Sequence, residues 1–70
     1  MVAYPNPAAD YIYLSNLTEK SSYMLMDMTG KIVLKGTIND VSKPKISINH
    51  LENGMYFLQC NEKVMPFYKN

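Results

Sequence analysis

The stretch YMLMDMTGKIVLKG, from Tyr23 to Gly36, decides the fold, because two apolar runs in it flank a short polar turn. Thr29-Gly30 suits a tight hairpin turn, since glycine adopts positive φ without steric cost. The carboxylate of Asp27 can accept hydrogen bonds from backbone amides in the turn and hold it closed. The stretch therefore predicts a β-hairpin with strands at Ser22–Met28 and Lys31–Thr37.

On both sides of this hairpin the chain repeats the same pattern of short apolar runs separated by turn residues. No apolar stripe at helical spacing persists for the roughly ten to twelve residues that a helix needs. Recurrent short runs of this kind are typical of all-β proteins. Five further strands are predicted, at Val2–Tyr4, Tyr11–Ser15, Lys45–Asn49, Met55–Cys60 and Lys63–Tyr68. Seven short, mainly antiparallel strands indicate a small all-β, immunoglobulin-like sandwich with no significant helix.

Alternation along each strand predicts which side chains face the core. The residues expected inside are Ile12, Leu14, Tyr23, Leu25, Ile32, Leu34, Ile46, Ile48, Tyr56, Leu58 and Cys60. Met24, Met26 and Met28 fall on the opposite face of their strand and should form a half-exposed, adaptable surface. Pro66 lacks a backbone donor, which places the last strand at a sheet edge or a bulge.

Composition limits the size of the protein and the classes of function open to it. Seventy residues, 47% hydrophobic and 19% charged, allow one small globular domain spanning 1–70. All seven basic residues are lysine, so the arginine fork that reads guanine is missing, and no nucleic-acid partner is expected. The single cysteine excludes an internal disulfide. Apolar runs such as Met55–Leu58 are far too short for a transmembrane segment.

Candidate chemistry is scarce. Cys60 and His50 are the only residues that could form a nucleophile–base pair, but Cys60 continues the inward face of Tyr56 and Leu58 as a small core residue. No pair of ligands has the short spacing of zinc sites, so no metal and no cofactor are expected. We therefore expect a domain that is not an enzyme.

Three motifs carry a resemblance to a known family. YPNPAADYIYL (Tyr4–Leu14), YMLMDMTGKIVLKG (Tyr23–Gly36) and ISINHLENGMYFLQC (Ile46–Cys60) follow one another in this order. At this spacing they resemble the C-terminal sorting domain of the type IX (Por) secretion system, which is common at the ends of secreted Bacteroidetes proteins. The resemblance covers essentially the whole chain.

The resemblance implies a role in protein transport that needs no chemistry by the domain. In that family an N-terminal cargo crosses the inner membrane, and the outer-membrane type IX translocon recognises the folded domain in the periplasm. A sortase then removes the domain, and the cargo reaches the cell surface or the medium. This chain is therefore expected to be a fragment of a larger secreted protein, with Met1 an added start residue.

The resemblance also directs attention to particular residues. Those expected to contact the machinery are Gly54, Tyr56, Lys63, Phe67 and Lys69, the last three as exposed side chains. Gly54 and Tyr56 could instead serve only the fold. Those expected to shape turns are Tyr4, Pro5, Asn6, Pro7, Asp27, Gly30 and Lys31. A last strand at a sheet edge would offer unpaired backbone groups that suit strand addition by a receptor. Exposed edges or the methionine face could also pair two copies into a dimer.

A different class of function competes with sorting. The chain contains six tyrosines, and an alternating pair, Tyr11 and Tyr13, should cover an outer surface. Flat amphipathic rings could bind sugar, as in a non-catalytic carbohydrate-binding or adhesive β-sandwich module of a cell-surface protein. Cross-strand aromatic pairs that stiffen a small sheet account for the tyrosines equally well.

Overall fold

The computed structural model describes residues 2–70, which form seven β-strands in two antiparallel sheets and no helix. The strands are β1 (Ala3–Tyr4), β2 (Tyr11–Leu14), β3 (Ser21–Asp27), β4 (Ile32–Ile38), β5 (Lys45–Ser47), β6 (Gly54–Cys60) and β7 (Lys63–Lys69). The predicted all-β sandwich is confirmed, and every predicted strand is present with ends that differ by one or two residues. The expectation about Met1 lies outside the described residues.

The two sheets differ in size and connection. One has the order β1-β2-β5, and the other has the order β4-β3-β6-β7. The larger sheet consists of two hairpins, β3 with β4 and β6 with β7. Asn61 and Glu62 join β6 to β7 with φ of 51° and 66°, as a tight turn between twisted strands requires. The connections after β2, β4 and β5 each cross to the other sheet and so build the sandwich.

The core lies between the sheets and is formed by the predicted alternating residues. Ile12, Leu14, Ile46 and Ile48 of the smaller sheet are buried, as are Leu25, Leu58 and Cys60 of the larger one. Tyr23 is half-buried and packs against this cluster. Its ring lies over Gly36 on the neighbouring strand, where a Cβ atom would sit 2.9 Å from the tyrosine Oη. Glycine at this position therefore makes room for the ring.

The predicted inward pair on β4 is only partly confirmed. Leu34 packs against the core, but Ile32 is 49% exposed. The register explains the difference, because Leu25 pairs with Leu34 whereas Met26 pairs with Ile32. Val33 is thus the extra residue of a β-bulge, which interrupts the alternation along β4. Ile32 therefore lies on the outer face with Met26, whereas Leu34 lies on the inner face with Leu25.

The outer faces of both sheets carry large apolar side chains. On the larger sheet Met24, Met26 and Phe57 are half-buried, and Val64 and Tyr68 beside them are exposed. Met28, in the β3–β4 turn, is 73% exposed. The prediction of a half-exposed methionine surface is therefore confirmed for the strand residues. None of the described residues belongs to a helix long and apolar enough to cross a membrane.

Candidate functional site

The last strand, β7, is an integral part of the larger sheet. It pairs with β6 along its whole length, from Lys63 opposite Cys60 to Lys69 opposite Gly54. Met65, Phe67 and Lys69 point inward and are buried, whereas the residues between them are exposed. One side of β7 thus belongs to the core, and its outer edge is the surface available to other chains.

A segment near the start of the sequence covers half of that edge. The amide of Tyr68 donates to Asn6 Oδ1 at 2.9 Å, and the Tyr68 carbonyl accepts from the amide of Ala8 at 2.8 Å. The amide of Asn70 donates to the carbonyl of Ala8 at 2.8 Å. We call this group, Asn6, Ala8, Tyr68 and Asn70, the terminal joint. Its four residues connect the YPNP motif directly to the last strand.

Proline at position 66 fits the edge that remains. The backbone amide and carbonyl of Tyr68 bond to Asn6 and Ala8, so they point away from β6. Because these directions alternate along a strand, the backbone groups of Pro66 and Val64 point away from β6 as well. The missing proline N–H therefore costs β7 no bond to β6. Pro66 lies on an edge strand with no register shift in the β6–β7 pair, so the edge interpretation is the correct one.

Tyr56 and Gly54 hold β6 in place from the inside. Tyr56 is buried, its hydroxyl donates to the carbonyl of Glu52 at 2.7 Å, and its ring stacks on Phe67 at 5.9 Å between centroids. Burial raises the pKa of Tyr56, with smaller contributions from the charges of Glu52 and Asp27. Gly54 begins the strand at φ 153°, a conformation that residues with side chains rarely adopt. Both residues therefore stabilise the position of β6 in the fold.

Two of the three side chains expected at the surface of β7 are buried. Phe67 is fully buried, and Lys69 is only 6% exposed, with its Nζ donating to the Asn70 carbonyl. The prediction of exposure was wrong because alternation places these odd-numbered residues on the inward face with Met65. Lys63 is exposed, as expected.

The predicted turn at Asp27 is confirmed in detail. Asp27 Oδ1 accepts from the amide of Thr29 at 2.9 Å, its hydroxyl at 2.6 Å and the amide of Lys31 at 3.1 Å. The Thr29 hydroxyl is the main cause that lowers the pKa of Asp27, and the two backbone bonds and the Lys31 charge act in the same direction. Gly30 takes φ 88°. This side chain closes the β3–β4 hairpin.

The tyrosines of the smaller sheet cover its outer face, as expected. Tyr4 and Tyr13 are cross-strand partners whose rings stack at 5.7 Å with 25° between their planes. Tyr11 lies beside Tyr13 at 6.3 Å, and Lys45 Nζ sits 4.5 Å from the centre of the Tyr11 ring. The stacked pair stabilises the β1–β2 pairing, because the two rings pack face to face across the strands.

The potential nucleophile and base occupy different environments. Cys60 is a buried core residue, and burial raises the pKa of its thiol, whereas His50 is exposed in a turn. A raised pKa keeps the thiol protonated and weakly nucleophilic. Within residues 2–70, no group of three or more His, Cys, Asp or Glu side chains is placed to hold a metal ion.

Sequence reasoning missed the long-range part of the site. Asn6 was expected only to shape a turn, yet its side chain bonds to Tyr68, 62 positions later. Ala8 is completely buried and belongs to the core cluster, although alanine in a polar stretch gives no signal of burial. Neither contact could be derived from spacing, because both depend on where the crossings between sheets leave the two segments.

Comparison with known proteins assigns the family. The family model described as the secretion system C-terminal sorting domain matches residues 2–68, which is nearly the whole chain. No curated protein and no solved structure matches the chain. The chain therefore belongs to the family of type IX secretion system C-terminal sorting domains, the signals that direct a cargo to the cell surface or the extracellular space.

Proposed function

We propose that the outer-membrane translocon of the type IX system recognises this domain in its folded state, through the surface that the terminal joint creates. The terminal joint is the observation that carries the proposal. It holds the YPNP segment and the last strand in one fixed arrangement, so a receptor that contacts this surface meets both sequence motifs together. An unfolded chain would present them far apart.

The exposed residues around the terminal joint form the surface that the translocon would contact. Pro5 and Pro7 are exposed, Tyr68 is 49% exposed, and Lys63 lies at the far end of β7. Gly54, Tyr56, Phe67 and Lys69 act indirectly in this proposal, because they position β7 from within. The domain serves as a ligand in transit through the periplasm, and a sortase then cuts it from the cargo as a substrate.

The domain itself performs no catalysis in this proposal. The buried Cys60 thiol with its raised pKa supports this, since neither a base nor water has ready access to it. Replacement of Cys60 by alanine should accordingly leave export of the cargo intact.

A transport assay tests the proposal. A reporter with a signal peptide is fused ahead of Val2–Asn70 and expressed in a host with a type IX system. Delivery of the reporter to the surface or medium, with the domain cut off, is the expected result. Deletion of Lys63–Asn70 should leave the reporter in the periplasm.

Asn6 provides the decisive variants. Asn6→Ala removes the acceptor for the Tyr68 amide and should reduce export, whereas Asn6→Asp keeps an acceptor oxygen and should export normally. Circular dichroism of both purified domains establishes that they remain folded. Equal export of the two folded variants would show that recognition does not depend on the joint, and delivery with the domain still attached would exclude removal by the sortase.

A further inference from the structure

The outer edge of β4 has unpaired backbone groups. The amide of Asp27 donates to the carbonyl of Lys31, so alternation directs the backbone groups of Leu25 and Tyr23 toward β4. The backbone groups of their partners, Leu34 and Gly36, therefore point toward β3. The amides and carbonyls of Lys35 and Thr37 point the other way, out from the edge of the sheet. None of the hydrogen bonds that residues 2–70 form outside the strand ladders reaches Lys35 or Thr37.

A groove of about 470 Å³ lies over the β3–β4 pair beside this edge. It is lined by three cross-strand pairs, Ser22 with Thr37, Tyr23 with Gly36, and Met24 with Lys35. Because Gly36 has no side chain, the ring of Tyr23 reaches the edge of the sheet there. An added strand would find a hydrogen-bonding edge and an aromatic surface in one place.

The charge at the β4 edge favours a particular kind of incoming strand. β4 contains Lys35 and no acidic residue. Lys31, just before the strand, lies near the Asp27 carboxylate, so Lys35 is the positive charge that an incoming strand would meet. Across the β3–β4 pair Lys35 faces Met24, an uncharged residue. A carboxylate on the incoming strand would therefore be attracted to Lys35, whereas a second lysine there would be repelled.

We propose that the β4 edge is a docking site for an extended, acidic segment of another protein, which adds to the larger sheet as a fifth strand. Its carboxylates lie on the face of Lys35, and the alternate apolar side chains lie on the opposite face beside Gly36 and Tyr23. This site is separate from the terminal joint and extends beyond the proposed sorting function. Strand addition is a common mode of peptide recognition, with backbone bonds supplying affinity and alternate side chains supplying specificity.

A binding experiment with a synthetic probe tests this site without any transport. The isotope-labelled domain is titrated with a capped hexapeptide of alternating valine and glutamate, and amide chemical shifts are recorded by NMR. Saturable changes at the amides of Lys35 and Thr37 are expected. The matching peptide of alternating valine and lysine should bind at least about tenfold more weakly.

Proline substitutions distinguish the two edges of the sheet. Thr37→Pro removes an outward donor without removing a bond to β3, and should weaken binding about tenfold. Val64→Pro makes the same change at the outer edge of β7 and should leave binding unchanged. Lys35→Glu should reverse the preference between the two peptides, and this variant decides the question alone if Thr37→Pro does not fold.

Several results would overturn the assignment. These are shift changes centred on β7, equal binding of both peptides, no effect of Lys35→Glu, or no saturation at millimolar peptide. Shifts at Lys35 and Thr37 that depend on protein concentration without peptide would instead assign the edge to a second copy of the domain.

Discussion

The two edge strands of the larger sheet have the same length but are protected in different ways. β7 has Pro66 at an outward position, and the terminal joint occupies the outward groups of Tyr68. β4 has a bulge at Val33 and a lysine at position 35, and no hydrogen bond from another segment within residues 2–70 occupies the outward groups of Lys35 and Thr37. A proline removes a backbone donor from an edge and a covering loop occupies its groups, whereas a bulge and a lysine disfavour strand addition without occupying those groups. Lysine disfavours an acidic strand least, because the opposite charges attract.

This difference changes where a partner strand can bind. The sequence suggested that the last strand would be the free edge, but among residues 2–70 only Val64 and the Pro66 carbonyl keep outward backbone groups available there. A receptor that recognises β7 would therefore contact its side chains and the YPNP loop. Addition of a whole strand is better accommodated at β4. The following predictions test this contrast.

The largest expected effect concerns one large apolar side chain on each strand, Phe67 facing the core and Ile32 left half-exposed by the bulge. Phe67→Ala on β7 should lower the free energy of unfolding by about 3–5 kcal/mol, because it empties a fully buried site that stacks on Tyr56. Ile32→Ala on β4 should lower the free energy of unfolding by no more than about 0.5 kcal/mol, since half of that side chain is already exposed to water. Urea unfolding of both variants measures the difference. Equal losses would contradict the contrast between a core strand and a bulged one.

A smaller effect is expected from the hydroxyl of Tyr56. Tyr56→Phe removes the bond to the Glu52 carbonyl and should reduce stability by about 1 kcal/mol. Tyr68→Phe removes a hydroxyl from a half-exposed ring on β7 and serves as the matched control, with no measurable change in the urea midpoint. A large loss in the control would mean that the outward face of β7 contributes more to stability than its exposure indicates.

The terminal joint should be visible in amide hydrogen exchange. The Tyr68 amide should exchange slowly and the Thr37 amide quickly, because only the former has an acceptor. In Asn6→Ala the Tyr68 amide should exchange about fivefold faster, equivalent to about 1 kcal/mol, while Asn6→Asp retains the slow rate. Rapid exchange of Tyr68 in the unmodified protein would show that β7 is as open as β4.

Local patterns in the sequence explain which parts of this architecture were predictable. The turns depend on a few neighbouring residues, so Asp27 and Gly30 could be assigned from residue type alone. The inward faces of β2, β5 and β6 followed from alternation, because those strands keep their register. The same rule failed at Ile32, where one extra residue in β4 breaks the alternation.

The contacts that predictions missed join distant segments. Asn6 carries turn chemistry in its local sequence, and nothing near it indicates an acceptor for the amide of Tyr68. Likewise, Asn61 lies in the β6–β7 turn, and its side chain also donates to Ser21 Oγ at the start of β3, 40 positions earlier. Such bonds depend on the packing of the whole sandwich, so the turn residues were correctly placed while their long-range partners were not.

The smallest expected effect is the contribution of Asp27, the last residue of β3, to the pH dependence of stability. Its pKa is lowered in the folded domain, so its carboxylate stabilises the native state above the unfolded pKa of about 4, and this contribution is lost as the pH falls through the lower folded value. Asp27→Asn should therefore flatten the decline in stability below about pH 4, measured by urea unfolding at several pH values. Some slope should remain, because hydrogen bonds from Ser42 lower the pKa of Asp40 as well. Asp10→Asn is the control for the loss of one negative charge. If it flattens the curve equally, net charge rather than closure of the β3–β4 hairpin governs the acid response.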